Sequence, residues 1–162
     1  MIQRISPCLW FDDQAEAAVA QYTAIFPGSR VLRTSRYSKE AAEVSGCPEG
    51  SVLTISFTLD GIELEALNGG PAFKFNEAVS LMVNCQSQRE IDHYWERLSE
   101  GGDPSAQQCG WLKDRFGLSW QIVPTVLREL IAQPDPEKAS RAMKAMLEMK
   151  KLDIAALERA AA

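Results

Sequence analysis

Glu63 and Glu65 stand two residues apart in a β-rich stretch, so strand alternation sets both carboxylates on one face. Two acids so placed make either a solvated strand edge or, where one is partly buried, a general base. Glu65, which falls beside Trp10, is the candidate base. Gln121 lies 56 residues further on, at the same distance from a turn glycine (Gly117) as Glu65 from Gly61, and its amide could position an oxygen without ionising. Cys8 is a possible nucleophile, but the sequence puts no basic partner near it. The other cysteines, Cys47, Cys85 and Cys109, are far apart and form no Cys-x-x-Cys, so they read as small buried apolar side chains in a reducing compartment. His93 is the single histidine, on the outer side of a helical segment, which removes many metal and triad mechanisms.

Charge and composition narrow the classes further. Seventeen basic and twenty-two acidic residues leave a net charge of −5, which gives no general grip on a phosphate backbone. A nucleic-acid partner is therefore not expected. No apolar run approaches the ~18–20 residues of a membrane span, and Met1-Ile2-Gln3-Arg4 does not begin a signal peptide. The expectation is a cytoplasmic protein with no membrane partner. With 46% apolar and 24% charged residues in 162, the composition is that of a soluble globular chain with a core of its own.

The elements that must carry these residues repeat. Residues 5–11 read as a buried strand, Asp13 and Glu16 as a helix start, and Ala17, Ala18, Val19, Tyr22, Ile25 and Phe26 as its apolar stripe. Pro27-Gly28 stops that helix; residues 29–38 read as a strand and 39–50 as a loop. Two strands follow around Asp60-Gly61, a strong hairpin signal, and end at Asn68-Gly69-Gly70-Pro71. The order then restarts, with a strand at Val79, Leu81 and Val83 and a helix opened by Ser87 and Glu90. Strands at 109–112 and 118–123 complete the second copy, whose first strand after the helix is short or irregular. Adding 72 takes Leu9 to Leu81 and Tyr22 to Tyr94; adding 56 takes Gly61 to Gly117 and Glu65 to Gln121. The fold expected is α+β: two βαβββ modules, about 1–70 and 78–124, in one domain of residues 1–124, then a helical extension at 125–162. In that extension Asp135-Pro136 and Asp153 start helices, and Met143, Met146 and Leu147 form an apolar stripe for packing or a dimer contact.

The stretches Ile5-Ser6-Pro7-Cys8-Leu9-Trp10-Phe11-Asp12, Ile25-Phe26-Pro27-Gly28-Ser29 and Leu67-Asn68-Gly69-Gly70-Pro71 resemble the PhnB-like branch of the vicinal oxygen chelate superfamily. So do Phe73-Lys74-Phe75-Asn76, the run from Gln108-Cys109-Gly110-Trp111 to Ser119-Trp120-Gln121-Ile122-Val123-Pro124, and Met149-Lys150-Lys151-Leu152-Asp153-Ile154. The resemblance covers nearly the whole chain. It implies curved sheets around a ligand cavity, usually in a homodimer, with glyoxalase I, bleomycin-resistance proteins and extradiol dioxygenases as relatives by fold. Metal-using members place one divalent ion among four strand positions, which carry over to Ser6, Glu65, Ala78 and Gln121. Alanine has no donor and the set holds one carboxylate, so no metal and no other cofactor are expected.

Strand alternation then turns Ser6, Cys8 and Trp10, Ser80 and Met82, and Ser119 and Gln121 toward the cavity, while Trp111 offers a flat apolar surface. Lys74 and Asn76, between the modules, could close over a ligand. The functional expectation is a small-molecule-binding protein or a metal-independent enzyme acting on a small oxygenated or aromatic metabolite. The alternatives are a metal-dependent glyoxalase- or dioxygenase-type enzyme and, last, the methyltransferase of the branch's 3-demethylubiquinone label. A methyltransferase needs a nucleotide cleft, whereas Gly69-Gly70 precedes Pro71 and opens no clear helix.

Overall fold

A computed structural model describes residues 3–162; Met1 and Ile2, which open the N-terminal run read above, lie outside them. The chain divides into two compact units between Phe75 and Asn76. The first contains β1 (Cys8–Phe11), α1 (Ala15–Ile25), β2 (Arg30–Arg36), α2 (Lys39–Ser45), β3 (Val52–Leu59) and β4 (Ile62–Asn68). Its sheet runs β1-β4-β3-β2, with β1 parallel to β4 and the other pairs antiparallel. Leu9, Phe11, Ile55, Phe57, Leu64 and Ala66 share the face that packs on α1, whose Ala18, Val19, Tyr22 and Ile25 are buried. Asp60 (φ 46°) and Gly61 (φ 81°) both take the positive φ of a two-residue type I′ turn, as the Asp-Gly pair predicts.

Three expectations shift here for physical reasons. The first strand starts at Cys8, not at Ile5: Pro7 has no N–H to give a ladder, and Ile5 is exposed. α1 takes no cap from Asp13; buried Asn68 instead accepts the Ala15 N–H at 2.9 Å through Oδ1 and donates to the Val52 carbonyl at 3.1 Å. A tertiary contact thus does what a local cap was expected to do. Within the loop read at 39–50, residues Lys39–Ser45 form a helix capped by Ser38 and closed by left-handed Gly46.

The second unit contains β5 (Ser80–Cys85), α3 (Gln88–Ser99), β6 (Trp111–Lys113), β7 (Ser119–Pro124), α4 (Val126–Ala132), α5 (Pro136–Leu147) and α6 (Ile154–Ala161). Its sheet has the order β5-β7-β6. Ser87 caps α3 as expected, accepting the Glu90 N–H, while the Glu90 carboxylate reaches back to the Gln86 N–H. Ile91, Trp95 and Leu98 pack with Leu112, Trp120 and Ile122 in the buried core. The irregular strand after the helix is a 3-10 turn at Pro104–Ala106, started by the Asp103 side chain. Proline removes an N–H there, so no fourth strand forms.

The modules differ in register. Cys8 faces Glu65 across β1 and β4, whereas in the second unit Ser80 faces Ser119 and Met82 faces Gln121. That is a slip of two residues against the repeat, and a slip of two keeps every side chain on its face.

The extension belongs to the second unit. Leu152 and Leu157 bury against Val123 and Leu127, with Leu130, Ile131, Met146 and Met149 around them. Gln88 pins the turn between α5 and α6: its amide donates to the Leu152 carbonyl at 3.1 Å and accepts the Ile154 N–H at 2.9 Å. Met143 and Leu147, the rest of the apolar stripe, stay exposed. Among the described residues, no helix is long and apolar enough to cross a membrane.

Candidate functional site

With α1 on one side of the first sheet, the opposite face carries the reactive groups. The type I′ turn at 60–61 fixes Glu65 opposite Ser56 on β3, and the parallel pairing of β1 puts Cys8 on its other side. Ser56 is buried and donates to Glu65 Oε2 at 2.6 Å, while Arg33 on β2 donates to Ser56 Oγ at 3.4 Å. Cys8, Glu65, Ser56 and Arg33 therefore form a row across all four strands. Burial pushes the Cys8 thiol up, and the Glu65 charge beside it pushes the same way. Cys8 is thus held as a thiol rather than a thiolate, which argues against a nucleophile.

One step along the strands, Trp10 faces Leu67, and Ser35 and Thr54 share a hydrogen bond of 2.7 Å. The Trp10 indole is committed to the turn after β4: Nε1 donates to the Gly70 carbonyl at 2.9 Å, and Phe73 meets the ring edge-on at 5.0 Å. Its ring occupies the space a Cβ on Gly69 would need. Ser6 lies outside β1, exposed, and accepts from the Gln3 amide at 3.1 Å. Lys74 is exposed at the end of this unit.

In the second unit the face away from α3 carries Ser80, Met82, Ser119, Gln121 and Trp111. Gln121 donates to Ser80 Oγ at 2.9 Å and sits between Met82 and Trp111. Met82 is exposed and, with Asn84, accepts from Arg128 of α4. Ser119 is buried, and its hydroxyl has no partner among the described residues. Lys113 beside it pairs with Glu77, and this bond holds the Glu77 carboxyl below its usual range. Asn76 accepts the Ala78 N–H at 2.9 Å, a turn contact. Cys85 lies on the buried face, where burial and the Glu90 charge push its thiol up to about 12. His93 is exposed on α3, its ring edge-on to Tyr94 at 5.0 Å.

Two side chains were absent from the sequence reading of the site. Ser56 was legible, since a two-residue turn at 60–61 pairs position 65 with position 56. Arg33 was not, because it reaches that row only through an irregularity in β2.

The family model of 3-demethylubiquinone-9 3-methyltransferase matches residues 3–123. The chain belongs to that family. The PhnB protein from Bacillus cereus is 32% identical, with a TM-score of 0.64 over 76% of this chain and 100% of that one. Two further structures share the fold: PA1353 from Pseudomonas aeruginosa (21% identity, TM-score 0.59, 76% and 98% covered) and the fosfomycin resistance protein FosX from Listeria monocytogenes (17%, 0.52, 80% and 97%). These neighbours show that the chain has the vicinal oxygen chelate fold. No curated protein matches the sequence.

A FosX mutant is solved with Mn(II), and the superfamily implies such an ion. In this PhnB-like chain the corresponding residues do not fit one. Ala78 has no donor and Ser6 is a neutral hydroxyl, which leaves the one carboxylate of Glu65, already bonded to Ser56, and the neutral amide of Gln121, too few for a divalent ion. Among the described residues no three His, Cys, Asp or Glu side chains group together. The nucleotide cleft that the family description suggests is not made at Gly69-Gly70 either: Trp10 fills the space beside Gly69, and the next element is the strand β5, not a helix.

Proposed function

We propose that the protein binds a small oxygenated or aromatic molecule on the open face of its first sheet, with Glu65 as the group that accepts a proton from it. The observation carrying this reading is the Cys8–Glu65–Ser56–Arg33 row: a half-buried carboxylate, supported by a buried hydroxyl, on the face opposite α1. A carboxylate so oriented has one oxygen committed to Ser56 and the other left for a ligand hydroxyl or an acidic C–H. The chemistry proposed is metal-independent, because the donor set fits no divalent ion. Trp10, held rigid by Gly70 and Phe73, supplies an apolar wall to the same face. Gln121, Ser80, Met82, Ser119 and Trp111 are the corresponding binding groups proposed for the second unit, and Lys74 and Asn76 for the linking segment. The working form is proposed to be a cytoplasmic homodimer that covers Met143 and Leu147.

The test is a tryptophan-fluorescence screen of small oxygenated and aromatic compounds against the full chain, repeated on E65Q and E63Q. The reading expects saturable binding that E65Q abolishes and E63Q retains. Hits that bind E65Q as tightly as the wild type would overturn it.

A further inference from the structure

Arg30 and Arg33 stand three apart on β2, so a regular strand would turn them to opposite faces. The strand is not regular. Arg30 pairs with Thr58 and Val31 with Phe57, but the next partner, Ser56, is taken by Arg33, leaving Leu32 as an extra residue. The bulge restores the alternation one residue late, so both arginines face the side of Ser56 and Thr58, which is the side of Glu65. Among the described residues no carboxylate comes within 4.0 Å of either guanidinium, although acids outnumber bases in the chain. Two exposed cations share that face with the hydroxyls of Ser56 and Thr58 beside them and no carboxylate in ion-pair contact, Glu63 and Glu65 standing one strand further on at β4.

We propose that Arg30 and Arg33 bind the carboxylate or phosphate group of a small anionic ligand. This rests on the open-face reading above and names its substrate class: an acid whose charged end sits at β2 while its oxygenated end reaches Glu65. β2 and β4 are two strand spacings apart, roughly 10 Å between backbones, which a metabolite of modest size can span.

The experiment follows the arginine Nε–H resonances of the full chain while inorganic phosphate or succinate is titrated at constant ionic strength. The proposal expects saturable shifts at Arg30 and Arg33 with at least one anion, the tighter one naming the source of the charge. R33Q and R30Q should weaken that binding by roughly tenfold or more, and R89Q, on α3, should leave it unchanged. E65Q should bind the anion no more weakly than wild type, so a failed Glu65 reading and a failed anion site give different results. Shifts that never saturate, equal binding by R33Q, or binding of a short single-stranded DNA but of neither small anion would each overturn the proposal.

Discussion

Replacing Gly69 with alanine tests how Trp10 is held on the candidate face. A Cβ at position 69 would lie 2.5 Å from Cε2 and Cη2 of the Trp10 indole and closer still to Cζ2, so ring and methyl cannot both stay. The backbone at Gly69 follows β4, and its N–H is bonded to the Phe11 carbonyl, so the ring must give way. Displacing it breaks the Nε1 bond to Gly70, worth about 1 kcal/mol, and the edge contact to Phe73, worth about 0.5–1.5 kcal/mol. G69A should therefore cost about 1.5–2.5 kcal/mol in urea unfolding followed by far-ultraviolet circular dichroism. In a W10A background the methyl meets no ring, and the same substitution should be close to neutral or slightly stabilising. A cost that is equal in both backgrounds, or no cost in the wild type, would refute the steric account.

Three further outcomes follow from buried and paired charges. Asp114 is buried and accepts the N–H groups of Phe116 and Leu118 and the Trp120 indole N–H at 2.9–3.1 Å, so D114A should lose about 3 kcal/mol or more of unfolding free energy. Lys151 first, and Gln88 second, hold the Asp92 carboxyl below its ordinary range. The stability from that pairing is present above about pH 4 and is lost as the pH falls through the folded-state value. D92N should then be less stable than wild type near neutrality, by no more than about 1 kcal/mol for so exposed a pair, and should converge with it in acid titrations of thermal melting. Removing the Glu65 charge relieves part of what holds the Cys8 thiol up, so iodoacetamide at pH 8 should label Cys8 faster in E65Q, while Cys85 stays unlabelled in both folded proteins.

What was legible follows from how local each cause is. Asp60-Gly61 fixed a hairpin, and through it the neighbours of Glu65, because turn geometry is decided by two residues. Ser87, Asp135 and Asp153 marked helix starts for the same reason, each side chain meeting N–H groups two or three residues on. The α1 start was misassigned to Asp13 because its actual partner, Asn68, lies fifty-three residues away in sequence. The bulge at Leu32 left no mark either: no glycine or proline announces it, and it arises from pairing with β3. The apolar stripe of the extension was read as one surface, yet Met146 packs inside the unit beside Leu152 and Leu157 while Met143 and Leu147 do not. Periodicity states which residues share a face and is silent on what covers it.

The most direct test of the ligand site is a map of backbone amide shifts of the full chain with the tightest hit from the small-molecule screen. The account predicts perturbed amides clustered at Cys8, Trp10, Ser56, Glu65 and Arg33, and no such cluster in E65Q. Perturbations centred on α5 and α6, or spread without a centre while binding saturates, would contradict it.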